Sequence, residues 1–238
     1  MNQPILQSSY GVTLVGGGPV TGRDLKTALK MAPVVVGADG GANRLMQAGI
    51  APQAVIGDLD SISSQTRAAL PPDVLHHLTD QATTDFDKAL RSIVAPFVLA
   101  LGFAGARIDH GLAVMNVLVR HADRRCLVVG PQDVAFAAPP DLALRLRPGD
   151  PLSLFPMAPV TGHSTGLEWP ITGLHFAPDG FIGTSNRVSA PDVRLTFESP
   201  GMIVILPRAR LKAAVTALRA LPARPRAPGH DAPPAHAK

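Results

Sequence analysis

Val55-Ile56-Gly57-Asp58-Leu59-Asp60-Ser61 runs from an apolar pair through a glycine into two aspartates two positions apart. A strand that leaves a sheet at Gly57 places both carboxylates at its C-terminal edge, where open α/β sheets take their ligands. Paired carboxylates there suit a hard cation such as Mg²⁺, which takes oxygen ligands and bridges to the phosphates of a substrate. A plain Asp-rich turn accounts for the same residues, so the flanking sequence has to decide.

Upstream, Val12–Val15 reads as a buried strand stopped by Gly16-Gly17-Gly18-Pro19. A helix opens at Thr21 or Gly22, carries Leu25, Ala28 and Leu29, and closes at Pro33. Val34–Val36 is a second strand ending at Asp39-Gly40-Gly41, and a short helix with Leu45, Met46 and Ala48 leads to the strand Ala54–Ile56. Downstream, Val74–Leu78 and Phe97–Leu101 are strands, Phe86, Ala89, Leu90 and Ile93 share a helix face, Asp109–His121 is a helix, and Cys126–Val129 is a last strand. Continuous apolar strands alternating with amphipathic helices predict a mostly parallel, Rossmann-like sheet covered on both faces. After Gly130-Pro131 the pattern changes. Asp133–Phe136, Leu142–Leu146, Leu152–Phe155, Val193–Phe197 and Met202–Leu206 are short and closely spaced, and Val193, Leu195 and Phe197 alternate with period two. That pattern predicts a smaller all-β sandwich. The expected organisation is an α/β N-terminal domain over 11–131, a β-sandwich domain over 132–207, and a helical extension with a disordered basic tail over 208–238.

Composition narrows the function. With 46% apolar residues among 238 the chain can bury a sizeable core. Its net charge is +4, but seven Lys and Arg and one acid lie from Arg208 onward, leaving 15 basic against 17 acidic residues before it. The basicity therefore belongs to the tail. Aromatic residues are 4% of the chain, without basic and aromatic residues interleaved for base stacking, so no nucleic acid is expected. The single Cys126 excludes a disulfide framework and suits a reducing cytoplasm. Met1–Gln7 has no signal-peptide character, and Ile93–Ala106, interrupted by Pro96 and Gly102, is too short to cross a bilayer; no membrane is expected.

Three further stretches carry candidate chemistry. Gly16-Gly17-Gly18, between a strand and a helix, partly matches a dinucleotide fingerprint, and Asp39 ends the second strand where a ribose-binding acid stands. A nicotinamide dehydrogenase is thus a rival reading, and a tight turn is a simpler one. In Thr83-Thr84-Asp85-Phe86-Asp87, Thr84 and Asp87 fit a capping box and Asp87 stands four before Arg91 as a solvated pair. Asp85 is left over, as a first-turn acid or as a third carboxylate for the metal. In Gly105-Ala106-Arg107-Ile108-Asp109-His110, Asp109 suits an N-cap, while Arg107 offers a fork for phosphate oxygens and His110 a titratable donor. Acids after three different strands then gather at one sheet edge.

Four blocks, Ala38-Asp39-Gly40-Gly41-Ala42-Asn43-Arg44-Leu45, Gly57–Ser61, Thr84-Asp85-Phe86-Asp87-Lys88-Ala89-Leu90 and Gly105–His110, resemble in order the thiamine pyrophosphokinase family. Gly166-Leu167-Glu168-Trp169-Pro170-Ile171 and Gly183-Thr184-Ser185-Asn186 resemble its thiamine-domain signatures. The resemblance implies a homodimer with active sites between subunits. It also implies transfer of the pyrophosphoryl group of ATP to the hydroxyl of thiamine, with AMP leaving. Asp58, Asp60 and Asp85 would hold Mg²⁺ and, with Asp109, form the catalytic set. Asp39, Gly40, Asn43, Thr84, Arg107 and His110 would line the ATP site, and Trp169, Ser185 and Asn186 the thiamine site. Alternatives are Trp169 in the sandwich core and Ser185-Asn186 in a β-turn. The sequence departs from the family at Gly183, where some relatives carry a hydroxyl, and in the Arg-rich segment after Leu206. The rival functions are a pyrophosphokinase for another alcohol such as a pterin, an NAD(P)-dependent Rossmann oxidoreductase, and a ligand-binding sensor without turnover.

Overall fold

The computed structural model describes residues 3–105 and 107–222. Its first half runs β1 (Leu6–Gln7), β2 (Val12–Val15), α1 (Gly22–Met31), β3 (Val34–Ala38), α2 (Gly41–Gln47), β4 (Ala54–Gly57), α3 (Ser64–Ala69), β5 (Leu75–His77), α4 (Asp85–Ser92), β6 (Ile93–Val94), β7 (Val98–Leu101), α5 (Ile108–Arg120) and β8 (Cys126–Val129). Every residue of β2, β4, β7 and β8 is buried. With both sheet faces covered, no polar face is needed, which is why these strands read as unbroken apolar runs. They pair in parallel in the order β8-β7-β2-β3-β4-β5. The short β1 and β6 pair separately.

Local chemistry sets the helix starts. Thr21 caps α1 in a full capping box with Asp24, both bonds being 3.2 Å. At α4 only half of the expected box forms: Thr84 Oγ1 accepts from the Asp87 N–H at 3.3 Å. The Asp87 carboxylate, 2% exposed, turns instead to Arg120 at 2.7 Å and His121 at 2.8 Å, at the C-terminal end of α5. The solvated Asp87–Arg91 pair is therefore not made. Burial favours neutral Asp87, but His121 and Arg120 outweigh it and hold the carboxyl below its ordinary range.

Arg91 pairs with Asp80 at 3.0 Å, ahead of α4. Bonds from Thr83 and the Ala82 N–H, then Arg91, lower the Asp80 carboxyl from 3.8 to about 2. Because the folded value is the depressed one, this stabilisation is complete above the unfolded value near 3.8 and fades as pH falls toward about 2. Asp80→Asn should lower the urea midpoint at neutral pH, with the difference from the parent shrinking between about pH 4 and pH 2. A difference independent of pH over that window would remove the ion pair as its cause.

The second half comprises β9 (Asp133–Ala137), β10 (Asp141–Arg145), β11 (Pro151–Pro156), β12 (Gly162–Thr165), β13 (Gly183–Arg187), β14 (Asp192–Phe197), β15 (Met202–Pro207) and α6 (Leu211–Ala220). The expected free-standing sandwich takes another form. β9 pairs antiparallel with β8, and β15, β11 and β13 follow, so one ten-stranded mixed sheet runs through both halves. The cause is local. Only Gly130-Pro131-Gln132 join β8 to β9, with the Gly130 N–H donating to the Asp133 carbonyl at 2.8 Å, and a connection that short cannot make the crossover a parallel pair requires. β10-β14-β12 form the second, antiparallel layer. Leu142, Leu144, Val193 and Leu195 of that layer share a core with Leu152, Leu154, Val204 and Leu206 of the large sheet and with Leu127 of β8.

α6 adds Leu211, Val215 and Leu218 to the same core. Ion pairs of Arg208 with Asp24 and of Arg210 with Asp150 hold its start. Of the tail expected to be disordered from Pro222 onward, residues 223–238 lie outside the described residues. No helix among the described residues is long and apolar enough to cross a membrane.

Candidate active site

The chain passes from β5, at one edge of the parallel strands, back to β7, which lies on the other side of β2. Here the strand order reverses, and a crevice opens beyond the C-terminal ends of β2 and β7. The two turns flanking it touch. The Gly18 N–H donates to the Gly102 carbonyl at 3.0 Å, and a Cβ on Gly18 would lie 2.6 Å from that oxygen. Part of the glycine run is thereby a close-approach requirement rather than a dinucleotide fingerprint. A cleft of about 490 Å³ lies there, lined by Gly17, Asp39, Gly40, Thr84, Asp85, Arg107 and His110 among others.

Two strained residues aim the acids. Asp39 (φ 43°) and Leu59 (φ 62°) are left-handed, at a cost of about 1–3 kcal/mol each. Leu59 is held by burial at 6% exposure and by Arg67, which donates to its carbonyl at 2.6 Å. That bend carries Asp58 and Asp60 out of β4. Asp39, 5% exposed, accepts from the Ser61 N–H at 3.4 Å. Carboxylate oxygens of Asp39, Asp58 and Asp60 lie within 4.8 Å of one another. Three oxygen donors at that spacing fit Mg²⁺. The expected set of Asp58, Asp60 and Asp85 is thus only partly the one gathered, since Asp39 stands in the group.

Asp85 is joined to Asp58 through Lys88. The Lys88 ammonium, 2% exposed, stands 3.2 Å from Asp85 and 3.3 Å from Asp58. Burial alone would pull this ammonium down, yet the two carboxylates outweigh it and hold Lys88 above its ordinary range. Asp58 is likewise held low, burial being overcome by the Lys88 and Asp60 N–H bonds. Asp85 goes the other way: burial, reinforced by Asp58 and Asp39, raises its carboxyl against the pull of Lys88. Lys88 is not singled out by the sequence alone. Its signal was an amine three after Asp85 in a segment where the neighbouring Phe86, Ala89 and Leu90 are apolar.

Asn43 does not face the cleft with free groups. Its amide donates to the Ser61 carbonyl at 2.8 Å and accepts from the Ser63 N–H at 3.0 Å, bracing the acid loop against α2. α2 itself comes so close to β2 that a Cβ on Gly41 would lie 1.9 Å from the Val15 carbonyl oxygen. Arg107, not Asp109, is the N-cap of α5. Its fork holds Asp109 at 3.1 and 2.6 Å, both side chains being exposed. That pair lowers the Asp109 carboxyl.

In the second half, Trp169 is 51% exposed and so is not a core residue. Ser185 and Asn186 lie in β13 rather than in a turn, at an irregularity in its pairing with β11. Ser185 has φ 60° and is exposed. Asn186, 8% exposed, spends its amide on the Trp169 backbone, accepting from its N–H at 3.3 Å and donating to its carbonyl at 2.7 Å. It positions Trp169 rather than presenting free groups of its own.

The family profile described as "Thiamin pyrophosphokinase, catalytic domain" matches residues 25–129, and that described as "Thiamin pyrophosphokinase, vitamin B1 binding domain" matches residues 141–202. The chain is 27% identical over 196 residues to thiamine pyrophosphokinase 1 of Oryza sativa subsp. japonica, covering 68% of this chain and 74% of that one. It is also 27% identical to thiamine pyrophosphokinase 1 of Arabidopsis thaliana, covering 68% and 73%. Its fold matches that of thiamin pyrophosphokinase from Candida albicans, with a TM-score of 0.70 at 17% identity over 84% of this chain and 89% of that one. The yeast thiamin pyrophosphokinase superposes equally, with a TM-score of 0.70 at 18% identity over 85% and 88%. With both profiles matched in order along the chain, one on each half of the molecule, the protein belongs to the thiamin pyrophosphokinase family.

Proposed function

We propose that the family's reaction, transfer of the pyrophosphoryl group of ATP to the hydroxyl of thiamine with release of AMP, takes place in the cleft beyond β2 and β7. The grouping of Asp39, Asp58 and Asp60 beside that cleft carries the assignment. Mg²⁺ held by Asp58 and Asp60, with Asp39 and Asp85 flanking them, would neutralise charge on the phosphates. The protein's own work is positioning and charge stabilisation, since phosphoryl-type transfer asks little covalent chemistry of it. Nothing lies within 4 Å of where a Gly17 Cβ would stand, so the space beside that backbone is free for phosphate oxygens. The Arg107 fork already holds a planar anion, Asp109, and phosphate oxygens are its alternative partner. Asp85 and Asp109 are the candidate bases for the hydroxyl proton: burial raises the Asp85 carboxyl while the Arg107 bond lowers that of Asp109, and Asp109 becomes available as a base once phosphate takes Arg107. Thr84, Gly40 and His110 complete the ATP side.

The same reading divides the chain into an ATP-binding part over 11–131 and a thiamine-binding part over 132–207, working as a cytoplasmic homodimer. The described residues lining the cleft all precede residue 115, so the surface for thiamine has to come from elsewhere. α5 exposes Ile108 at 84% and Leu112 at 60%, continued by Met115 and Val119 in one stripe. Trp169 and Phe181 are each 51% exposed. A second copy covers such surfaces and brings Trp169 of the partner subunit, with Ser185 near it, to the cleft. Leu112→Glu should convert a sedimenting dimer to monomer and abolish turnover. A parent chain that sediments as a monomer removes this arrangement.

The reaction is tested by chromatography of purified protein with ATP, Mg²⁺ and thiamine, resolving AMP from ADP. Thiamine-dependent AMP with thiamine diphosphate is the expected result. ADP as product, or turnover only with a pterin alcohol, overturns it.

A further inference from the structure

The exposed Trp169 does not present a bare ring. The Arg187 guanidinium carbon stands 5.6 Å from the ring centroid, and Arg187 Nη1 donates to Glu168 at 3.0 Å. Both charged side chains are substantially open to solvent, Arg187 at 55% and Glu168 at 41%. The frame beneath them is fixed: Asn186 clamps the Trp169 backbone from both sides, and the Glu168 N–H donates to the Arg187 carbonyl at 2.8 Å. An anchored indole therefore carries a movable cation and, beside it, a movable anion.

We propose that Arg187 is an internal cation on the Trp169 indole that thiamine displaces or opposes on binding, and that Glu168 then serves as the counter-charge of the substrate's thiazolium ring. This rests on the reading of Trp169 as the surface that receives thiamine. The argument is electrostatic. The face of an indole attracts a cation through its quadrupole, and the thiazolium ring is permanently positive. If it takes the face that Arg187 covers, the guanidinium must leave. If it takes the opposite face, it meets like charge across the ring. In either geometry Arg187 weakens binding of a cationic ring more than that of an uncharged one of the same shape, since displacement, where it is needed, is required of both and only the cation meets like charge. Glu168 acts with the opposite sign. The pair thus sets both affinity and the preference for a charged acceptor, making them specificity-determining residues for this reaction.

Trp169 is the single tryptophan of the chain, so its fluorescence reports on this surface alone. The full-length protein is titrated at low ionic strength with thiamine and, separately, with its uncharged thiophene isostere. Arg187→Met keeps an unbranched stem against the ring and removes the charge; it should bind thiamine about two- to five-fold more tightly, as expected for a partly exposed cation–π contact. Glu168→Gln should bind thiamine about two- to five-fold more weakly. Each change should move the affinity for the isostere less than that for thiamine. Arg187→Met binding thiamine no more tightly than the parent, with the Trp169 signal still present, overturns the proposal alone. An equal shift for both ligands also overturns it, since packing rather than charge would then be the cause. A Trp169 signal indifferent to thiamine in a protein that still turns over removes the underlying reading of Trp169 as well.

Discussion

Asp58→Asn should lower turnover about 10³-fold, the scale of losing a group that stabilises developing charge in a closed site, and leave the fold intact. The side chain keeps its shape and loses its charge. Asp58 belongs to two arrangements at once, the carboxylate group with Asp39 and Asp60 and the ion pair with Lys88. Lys88 keeps Asp85 as partner in the variant, so the buried ammonium is not orphaned. The apparent Mg²⁺ requirement should rise together with the loss of kcat, and the circular dichroism melt should stay close to that of the parent. Asp60→Asn should act in the same direction. Full activity of either variant at ordinary Mg²⁺ concentration would sink the metal assignment.

The second large effect is expected at Lys88, in stability as well as rate. Lys88→Met fills a similar volume but leaves Asp58, Asp85 and Asp39 as neighbouring carboxylates with no cation among them. Breaking a fully buried ion pair costs about 3–5 kcal/mol; here both carboxylates retain some access to water, so about 2–3 kcal/mol is expected. In a chain of this size that lowers the melting temperature by roughly 5–10 °C. Saturating Mg²⁺ should restore part of the loss, raising the melting temperature of the variant more than that of the parent, because a cation among the carboxylates replaces the missing ammonium. A variant as stable as the parent without Mg²⁺, or one that Mg²⁺ does not help, contradicts this picture of the site.

Much of the architecture was legible because the physical cause was local. Unbroken apolar runs at Val12–Val15 and Cys126–Val129 imply strands covered on both faces, and both are strands with every residue buried. The motif blocks after β3, β4, β7 and before α4 could be placed at one sheet edge from the alternation alone. Sheet continuity was not legible in the same way. Gly130-Pro131 reads equally well as a linker and as a hairpin, and only the pairing of Val128 with Ala135 distinguishes them. The partner of Asp87 is not legible either, because i,i+4 spacing proposes Arg91, whereas Arg120 and His121 approach across the packing of α4 against α5.

By itself the sequence determined the residue types of the site and the order of the elements that carry them, because capping, periodicity and turn chemistry act over a few residues. It also determined that acids follow several strands of one parallel sheet. Only the tertiary structure decided which groups meet. It set Asp39 with Asp58 and Asp60, placed Lys88 between Asp58 and Asp85, turned Asn43 and Asn186 into braces, and put Arg187 against an exposed Trp169. Such pairings depend on packing between segments distant in the chain, where burial and charge select among partners that sequence spacing leaves equivalent.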